Sequence, residues 1–286
     1  MPSQQASSDY GAAVVTWVNG ELVADDEATV SAYDHGFVVG DGVFETLKVI
    51  DGEPFALRRH LDRLARSGRG LGLAVDVDQV RSAVRETLGA VEGDRLRLRI
   101  TLTGGPGPLG SERGSAGPTL VVATAPMPTW GATAAVVFSP WPRNERSPLT
   151  GLKTTSYAEN VLALQDAKHR GASEAIFANT VGSLCEGTGS NLFLEWEGRL
   201  VTPPMGSGCL AGVTRALLLE WVPEVEELDL PAHALRGTSE AFLASSTRDV
   251  QPIASVDGEP LPLAPGPLTA RAAEVFAERS AAEVDP

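Results

Sequence analysis

Lysine is scarce in this sequence. Of its 23 basic residues, spread over 286 positions, only Lys48, Lys153 and Lys168 are lysines. Any chemistry that needs a side-chain primary amine therefore has three candidates, and arginine cannot stand in because its guanidinium stays protonated. Positive charge is short altogether. Acidic residues number 37, the net charge is −14 and the pI is about 4.7. Such a polyanion repels phosphate backbones and anionic lipid, which argues against nucleic-acid and membrane partners. Cysteine is rarer still. Cys185 and Cys209 have no C-x-x-C neighbour, so no metal site is indicated, and they read as reduced thiols of a cytoplasmic protein. No apolar run approaches the roughly 18 residues of a membrane span. The opening MPSQQASSDYGAAVVTWVNG lacks the basic start and long apolar run of a secretory signal.

What is present is a globular composition, 43% hydrophobic and 21% charged. Asn19-Gly20, Asp51-Gly52, Glu197-Gly198 and Asp257-Gly258 each lie between strand-like runs. Such pairs supply the positive φ angles of tight hairpins, Glu-Gly less readily than the others. Helical periodicity marks 58–71, 77–91, 210–222 and 267–282. The mixture predicts an α/β (α+β) protein with mixed sheets. TGGPGPLGSERGSAGP (103–118) reads as a long flexible loop and ATAPMPTWGAT (123–133) as a linker. The expected division is a smaller domain over 1–122, the linker, and a larger domain over 134–286 that carries Lys153.

Lys153 stands out in GLKTTSYAEN (151–160). Ser156 and Glu159 match a capping box, so the lysine is expected on an extended approach to a helix that ends at Gly171. A lysine there either is solvated or projects into a cleft as a carbonyl-reactive amine. Lys168 falls in the last helical turn, where a cation suits the dipole, and Lys48 lies in a strand. Glu186 sits in a turn, CEGTGSN. Gly212-Val213-Thr214 opens a helix whose free N–H groups suit an anion. Arg63 lies on a helix, and SSTRDVQPI supplies the hydroxyls of Ser245, Ser246 and Thr247.

Together, GDGVFETLKV (40–49), HLDRL (60–64), LKTTSYAENVLA (152–163), EAIFANTVGSLCEGTGSNLF (174–193), LAGVTR (210–215) and SSTRDVQPI (245–253) resemble the class IV aminotransferases, the fold type IV pyridoxal phosphate family. That family includes branched-chain and D-amino-acid aminotransferases and 4-amino-4-deoxychorismate lyases. The resemblance spans about residues 15 to 260. It implies two α/β domains, pyridoxal 5′-phosphate as cofactor and a homodimer. It implies Lys153 as the covalent anchor and proton carrier, and Glu186 as partner of the pyridine nitrogen. Arg63, the amides of Val213 and Thr214, and Ser246 would hold the phosphate. Tyr157 would reach the cofactor phenolate, although its spacing from the lysine is one shorter than in branched-chain enzymes.

For the substrate, Arg95, Arg97 and Arg99 share one face of a strand. Where many relatives read TRG, this chain has Thr103-Gly104-Gly105, so that arginine is missing. Arg113 in the long loop offers a replacement carboxylate clamp. Phe44 and Glu45 stand where relatives put substrate-facing residues, and Phe44 lacks the hydroxyl that a tyrosine gives some D-specific enzymes. The expectation is transfer of an amino group from a D-amino acid or a small apolar amino acid to a 2-oxo acid. Release of pyruvate and 4-aminobenzoate, the lyase outcome, is the alternative.

Overall fold

The computed structural model describes residues 15–286, so the signal-peptide reading of residues 1–14 lies outside the described residues. The chain divides into two compact units. The first runs to Pro128 and adds Leu152–Ser156 and Val284–Pro286; the second takes Thr129–Gly151 and Tyr157–Glu283. Lys153 thus belongs with the first unit, whereas the sequence reading put it in the C-terminal domain. Among the described residues no helix is long and apolar enough to cross a membrane.

In the first unit, β1 (Val15–Val18) and β2 (Glu21–Ala24) form a hairpin, followed by the short helix α1 (His35–Val38). The long strand β3 (Gly42–Ile50) turns into β4 (Glu53–Pro54). Helices α2 (Leu57–Leu71) and α3 (Val77–Gly89) follow, then β5 (Arg95–Thr103) and β6 (Thr119–Pro126). The sheet order is β2-β1-β6-β5-β3-β4, antiparallel throughout. Strand β6 continues to Pro126, paired with Leu96, and so claims the first part of the expected linker. Leu47, Leu98, Ile100 and Val122 on one face of the sheet meet Leu61 and Leu64 of α2 and Val80 and Val84 of α3 in one buried cluster. Asp76 caps α3 by accepting from the amides of Asp78 and Gln79.

The second unit contains β7 (Ala134–Phe138), α4 (Ala158–His169), β8 (Glu174–Ala178), β9 (Leu184–Gly187), β10 (Asn191–Trp196) and β11 (Arg199–Thr202). It continues with α5 (Val213–Trp221), β12 (Glu226–Glu227), α6 (Ala234–Gly237), β13 (Ala241–Ser245), β14 (Asp249–Val256), β15 (Glu259–Pro260) and α7 (Pro267–Ala282). Its sheet runs β12-β11-β10-β13-β14-β7-β8-β9, with β15 beside β14. The β11–β12, β14–β7 and β7–β8 pairs are parallel and the rest antiparallel. A parallel pair needs a long crossover, and α4 supplies it between β7 and β8.

All four predicted hairpin turns form. Asn19, Asp51, Glu197 and Asp257 have φ of 48°, 51°, 52° and 52°, each followed by a glycine with positive φ. The capping box does not form. Tyr157 is the residue before α4 and makes no side-chain cap, because the Ser156 hydroxyl instead donates to the Gly40 carbonyl at 3.0 Å.

The glycine-rich loop between β5 and β6 is docked rather than loose. The Gly107 amide donates to the Tyr33 carbonyl at 3.0 Å, and the His35 amide to the Gly105 carbonyl at 3.0 Å. The Arg113 side chain anchors its far side on Asp41. Gly105 closes the neck: its φ is +74°, and a Cβ would lie 1.8 Å from the Gly117 carbonyl oxygen. We expect Gly105→Ala to cost about 2 kcal/mol or more of unfolding free energy, since strain and overlap add. Chemical denaturation would read it, and an unchanged midpoint would mean that the neck is not constrained.

Candidate active site

Lys153 is held by its backbone. Its amide donates to Ser67 Oγ on α2 at 3.1 Å. Its carbonyl accepts from the Phe44 amide at 3.0 Å, and the Thr155 amide donates to the Gly42 carbonyl at 2.8 Å. Residues 153–155 thereby run as a short added strand along the start of β3, with Thr154 bridged to Val43. Leu152 seats this segment on α2 against Gly70, where a Cβ would meet a Leu152 methyl at 2.6 Å. The Lys153 Nζ lies 4.3 Å from the centre of the Phe44 ring. The two other lysines have different places. Lys48 is buried with its Nζ 4.5 Å from the Phe55 ring centre, and Lys168 occupies the last turn of α4.

Arg63 is buried on α2 and grips Glu45 of β3. Its Nε donates to Glu45 Oε1 at 2.8 Å and its Nη2 to Oε2 at 2.6 Å. His60, one turn earlier, contacts Glu45 Oε2 through Nδ1 at 2.6 Å. Glu45 is fully buried. It therefore faces the helices, which corrects the expectation that Glu45, like Phe44, stands at a substrate-facing position. Burial pushes this carboxyl up, but the Arg63 charge and hydrogen bonds, helped by His60, outweigh it and hold it at about 2. Burial also lowers His60, against the pull of Glu45.

Arg99 lies over the Phe44 ring at 3.9 Å from its centre, with its Nε donating to Thr101 Oγ1 at 3.2 Å. Phe44 and Arg99 thus share the face of the sheet opposite α2 and α3. Arg113 is already engaged. Its Nε and Nη2 reach the two Asp41 carboxylate oxygens at 2.6 Å each, and it also donates to the Leu71 and Gly72 carbonyls. The Arg113 contacts hold Asp41 below the usual carboxylate range. A substrate carboxylate would have to compete with that pair.

In the second unit, Glu186 lies on β9. Its Oε2 accepts from the Leu210 amide at 2.9 Å, and its Oε1 is 3.6 Å from Arg143 Nη2. The Leu210 carbonyl accepts from Asn191 Nδ2 at 2.9 Å, which carries the chain into α5. Gly212 then passes so close to β10 that a Cβ would lie 1.9 Å from Asn191 Oδ1. Helix α5 has no side-chain cap. The Val213 and Thr214 amides, both on buried residues, have no acceptor among the described residues. Ser245 Oγ, at the end of β13 beside α5, is buried and likewise has no hydrogen-bond partner among them. Unsatisfied buried donors of this kind cost stability unless an acceptor arrives. An anion with several oxygens, such as a phosphate, fits them. Ser246 follows directly and is half-buried, and Tyr157 is half-buried at the start of α4.

Sequence reasoning misplaced Glu45 and missed His60, Asp41 and Arg143. The spacing of His60 and Arg63, three apart on a helix face, was the available signal. The thiols of Cys185 and Cys209 are buried, and burial, followed by the Glu186 charge, raises both above their ordinary value. They are packed neutral groups rather than nucleophiles.

Glu45 makes a pH-dependent contribution. Its carboxyl sits at about 2 against an ordinary 4.5. That stability is complete above the ordinary value and lost as pH falls through the folded one. We expect Glu45→Gln to lower unfolding free energy near neutral pH by about 3 kcal/mol, because it leaves the Arg63 charge buried. The acid limb of the stability profile should also become shallower. Urea unfolding from neutral pH down to acid would read both, and a variant with the wild-type profile would remove the pair as a structural anchor.

The family model described as amino-transferase class IV matches residues 42–256. A putative branched-chain-amino-acid aminotransferase of Methanocaldococcus jannaschii is 32% identical over 85% of this chain and 88% of its own. A D-alanine aminotransferase of Listeria innocua is 30% identical over 91% of this chain and 94% of its own. The crystal structure of a branched-chain aminotransferase from Thermoproteus uzoniensis with norvaline superposes with a TM-score of 0.86 at 28% identity, covering 92% of this chain and 93% of that one. With its two α/β units, its lysine-bearing segment and a match over most of its length, the chain belongs to the class IV aminotransferases.

Proposed function

We propose that this enzyme binds pyridoxal 5′-phosphate through Lys153 and takes its amino group from a D-amino acid or a small apolar amino acid, passing it to a 2-oxo acid. The observation that carries the reading is the placement of Lys153. Its main chain is hydrogen-bonded to both β3 and α2, while its amine lies over the Phe44 ring. The names of the relatives, branched-chain and D-alanine aminotransferases, support an amino acid as donor.

The roles follow from the side chains. Lys153 Nζ would be the amine that holds the cofactor and, when released from it, would hold and return a proton at that nitrogen. Arg63, oriented by Glu45, would donate to the phosphate together with the amides of Val213 and Thr214 and the hydroxyl of Ser246. Glu186 would accept from the ring nitrogen and Tyr157 would donate to the ring oxygen. Bound in this way, the cofactor supplies an electron sink for the charge that develops at the substrate Cα. Phe44 gives the substrate side chain an apolar wall. Arg99 and Arg113 are the cations for its carboxylate, Arg113 by exchanging Asp41.

A homodimer fits the first unit's surface. Tyr33, Phe37, Val39 and Leu109 are 57%, 75%, 46% and 68% exposed. The Tyr33 strip and the Leu109 loop are hydrogen-bonded to each other, so large apolar groups cluster there as at an interface. The acidic surface and free thiols suit a cytoplasmic enzyme.

The test is spectral and chemical. Purified protein with pyridoxal phosphate should turn yellow, and borohydride should fix the cofactor on the Lys153 peptide, read by mass. Lys153→Ala should take up no fixed cofactor. Adding D-alanine or L-leucine separately should convert the bound form to its amine with one of them, which gives the handedness. Release of 4-aminobenzoate from 4-amino-4-deoxychorismate, with no response to either amino acid, would replace transfer by the lyase reaction. A colourless protein would overturn the cofactor assignment.

A further inference from the structure

Arg143 lies between β7 and the Lys153 segment, in a stretch (SPWPRNERSPLT) that sequence reasoning did not single out. Its backbone is tied down: the amide donates to the carbonyl of Ala178, the last residue of β8, at 2.8 Å, and the residue bridges to Asn179. The guanidinium is only 15% exposed. It rests on the ring of Phe177, 4.3 Å from its centre, and that ring is itself buried at 1% exposure. Nη1 donates to Asn160 Oδ1 at 3.3 Å. Asn160 is buried, and its own amide donates to the Thr188 carbonyl at 2.6 Å, so its orientation is set. From this platform Nη2 faces Glu186 Oε1 at 3.6 Å.

Arg143 also lies 3.6 Å from Glu159, but that carboxylate is 73% exposed and its pull is screened by water. Glu186, 12% exposed, is the acid that Arg143 meets out of water. Glu186 therefore has one oxygen on the Leu210 amide and the other facing a cation that is stacked on Phe177 and hydrogen-bonded to Asn160. Lysine could not reproduce this. Only a planar guanidinium covers a ring face while two separate nitrogens reach an amide and a carboxylate.

We propose that Arg143 is a positioning residue that aims the Glu186 carboxylate at the ring nitrogen of the cofactor. This rests on the cofactor reading above. Arg143 acts through Glu186 and makes no contact of its own with substrate. The same network runs further. Thr188, whose carbonyl orients Asn160, gives its hydroxyl to Glu174, which pairs with Arg248 at 2.5 Å two residues after Ser246. Glu186 and the SSTR segment are thus braced by one set of polar side chains.

The experiment is a double-mutant cycle in full-length protein, read by the dissociation constant for pyridoxal phosphate from tryptophan fluorescence and by the absorbance of the bound form. Arg143→Met should weaken cofactor binding by about tenfold and shift the absorbance, and Arg143→Lys should recover only part of this. In a Glu186→Gln background, Arg143→Met should add almost nothing. An equal loss in both backgrounds would make Arg143 a general support and overturn the proposal, as would an Arg143→Met protein with the wild-type constant and spectrum. If Arg143→Met does not fold, Arg143→Lys carries the same cycle. Wild-type protein that binds no pyridoxal phosphate would instead sink the cofactor reading, and the proposal with it, a result separable from either outcome in the variants.

Discussion

A fully buried carboxylate cannot stand alone, and the first unit is organised around that constraint. Glu45 is shielded from water between the sheet and the helices, so it requires the two-point grip of Arg63 and the contact with His60. The pair ties α2 to β3 at one fixed register. Lys153 hangs from the same two elements, through Ser67 of α2 and Phe44 of β3, and Thr155 beside it adds a bond to Gly42. Its position is therefore inherited from the register that this salt bridge fixes. A buried ion pair is a poor source of net stability, because desolvation offsets most of the attraction. Its value here is geometric, since only one packing of α2 on β3 satisfies both charges.

The second unit repeats the device with other residues. Glu174 faces Arg248 and Glu186 faces Arg143, each acid on the β8–β9 hairpin and each arginine stacked on an aromatic ring. In all three cases the cation is arginine. Its planar fork can hold two partners at once, and its charge does not depend on burial. A composition rich in arginine and nearly free of lysine thus separates two duties. Arginines hold acids in place, and on the proposed reading the rare amine is kept for covalent chemistry.

The sequence made local features legible and left the long-range ones hidden. Hairpin turns could be read because a positive φ demands Asn, Asp or Gly, and even Glu197 adopts φ 52° where the Trp196–Arg199 pairing closes β10 on β11. The helices were legible from their apolar period. The start of α4 was not, because the Ser156 hydroxyl found a carbonyl 116 residues away instead of its own helix. Glu45 was misread because nearly every residue of β3 is buried, so alternation could not tell its two faces apart. The long loop was misread because its composition signals flexibility, whereas Arg113 finds an acid 72 positions earlier in the chain. Lys153, Glu186 and the opening of α5 could be named from their motifs. What holds each of them could not, since those partners are distant in sequence.

The uncapped start of α5 shows the same division between local pattern and distant cause. A helix normally satisfies its first amides with a Ser, Thr, Asp or Asn side chain, and replacing such a cap costs about 1 kcal/mol. Gly212 supplies none, although a larger residue would in any case collide with Asn191. Asn191 in turn holds Leu210, and the Leu210 amide holds Glu186. One glycine therefore lets the carboxylate, the loop and the helix end be built on a single asparagine of β10. The amides that go without a cap are the cost of that arrangement, and they are also what leaves the helix end open to an anion. Local stability is given up at this point, and the anion site proposed there gains a fixed geometry.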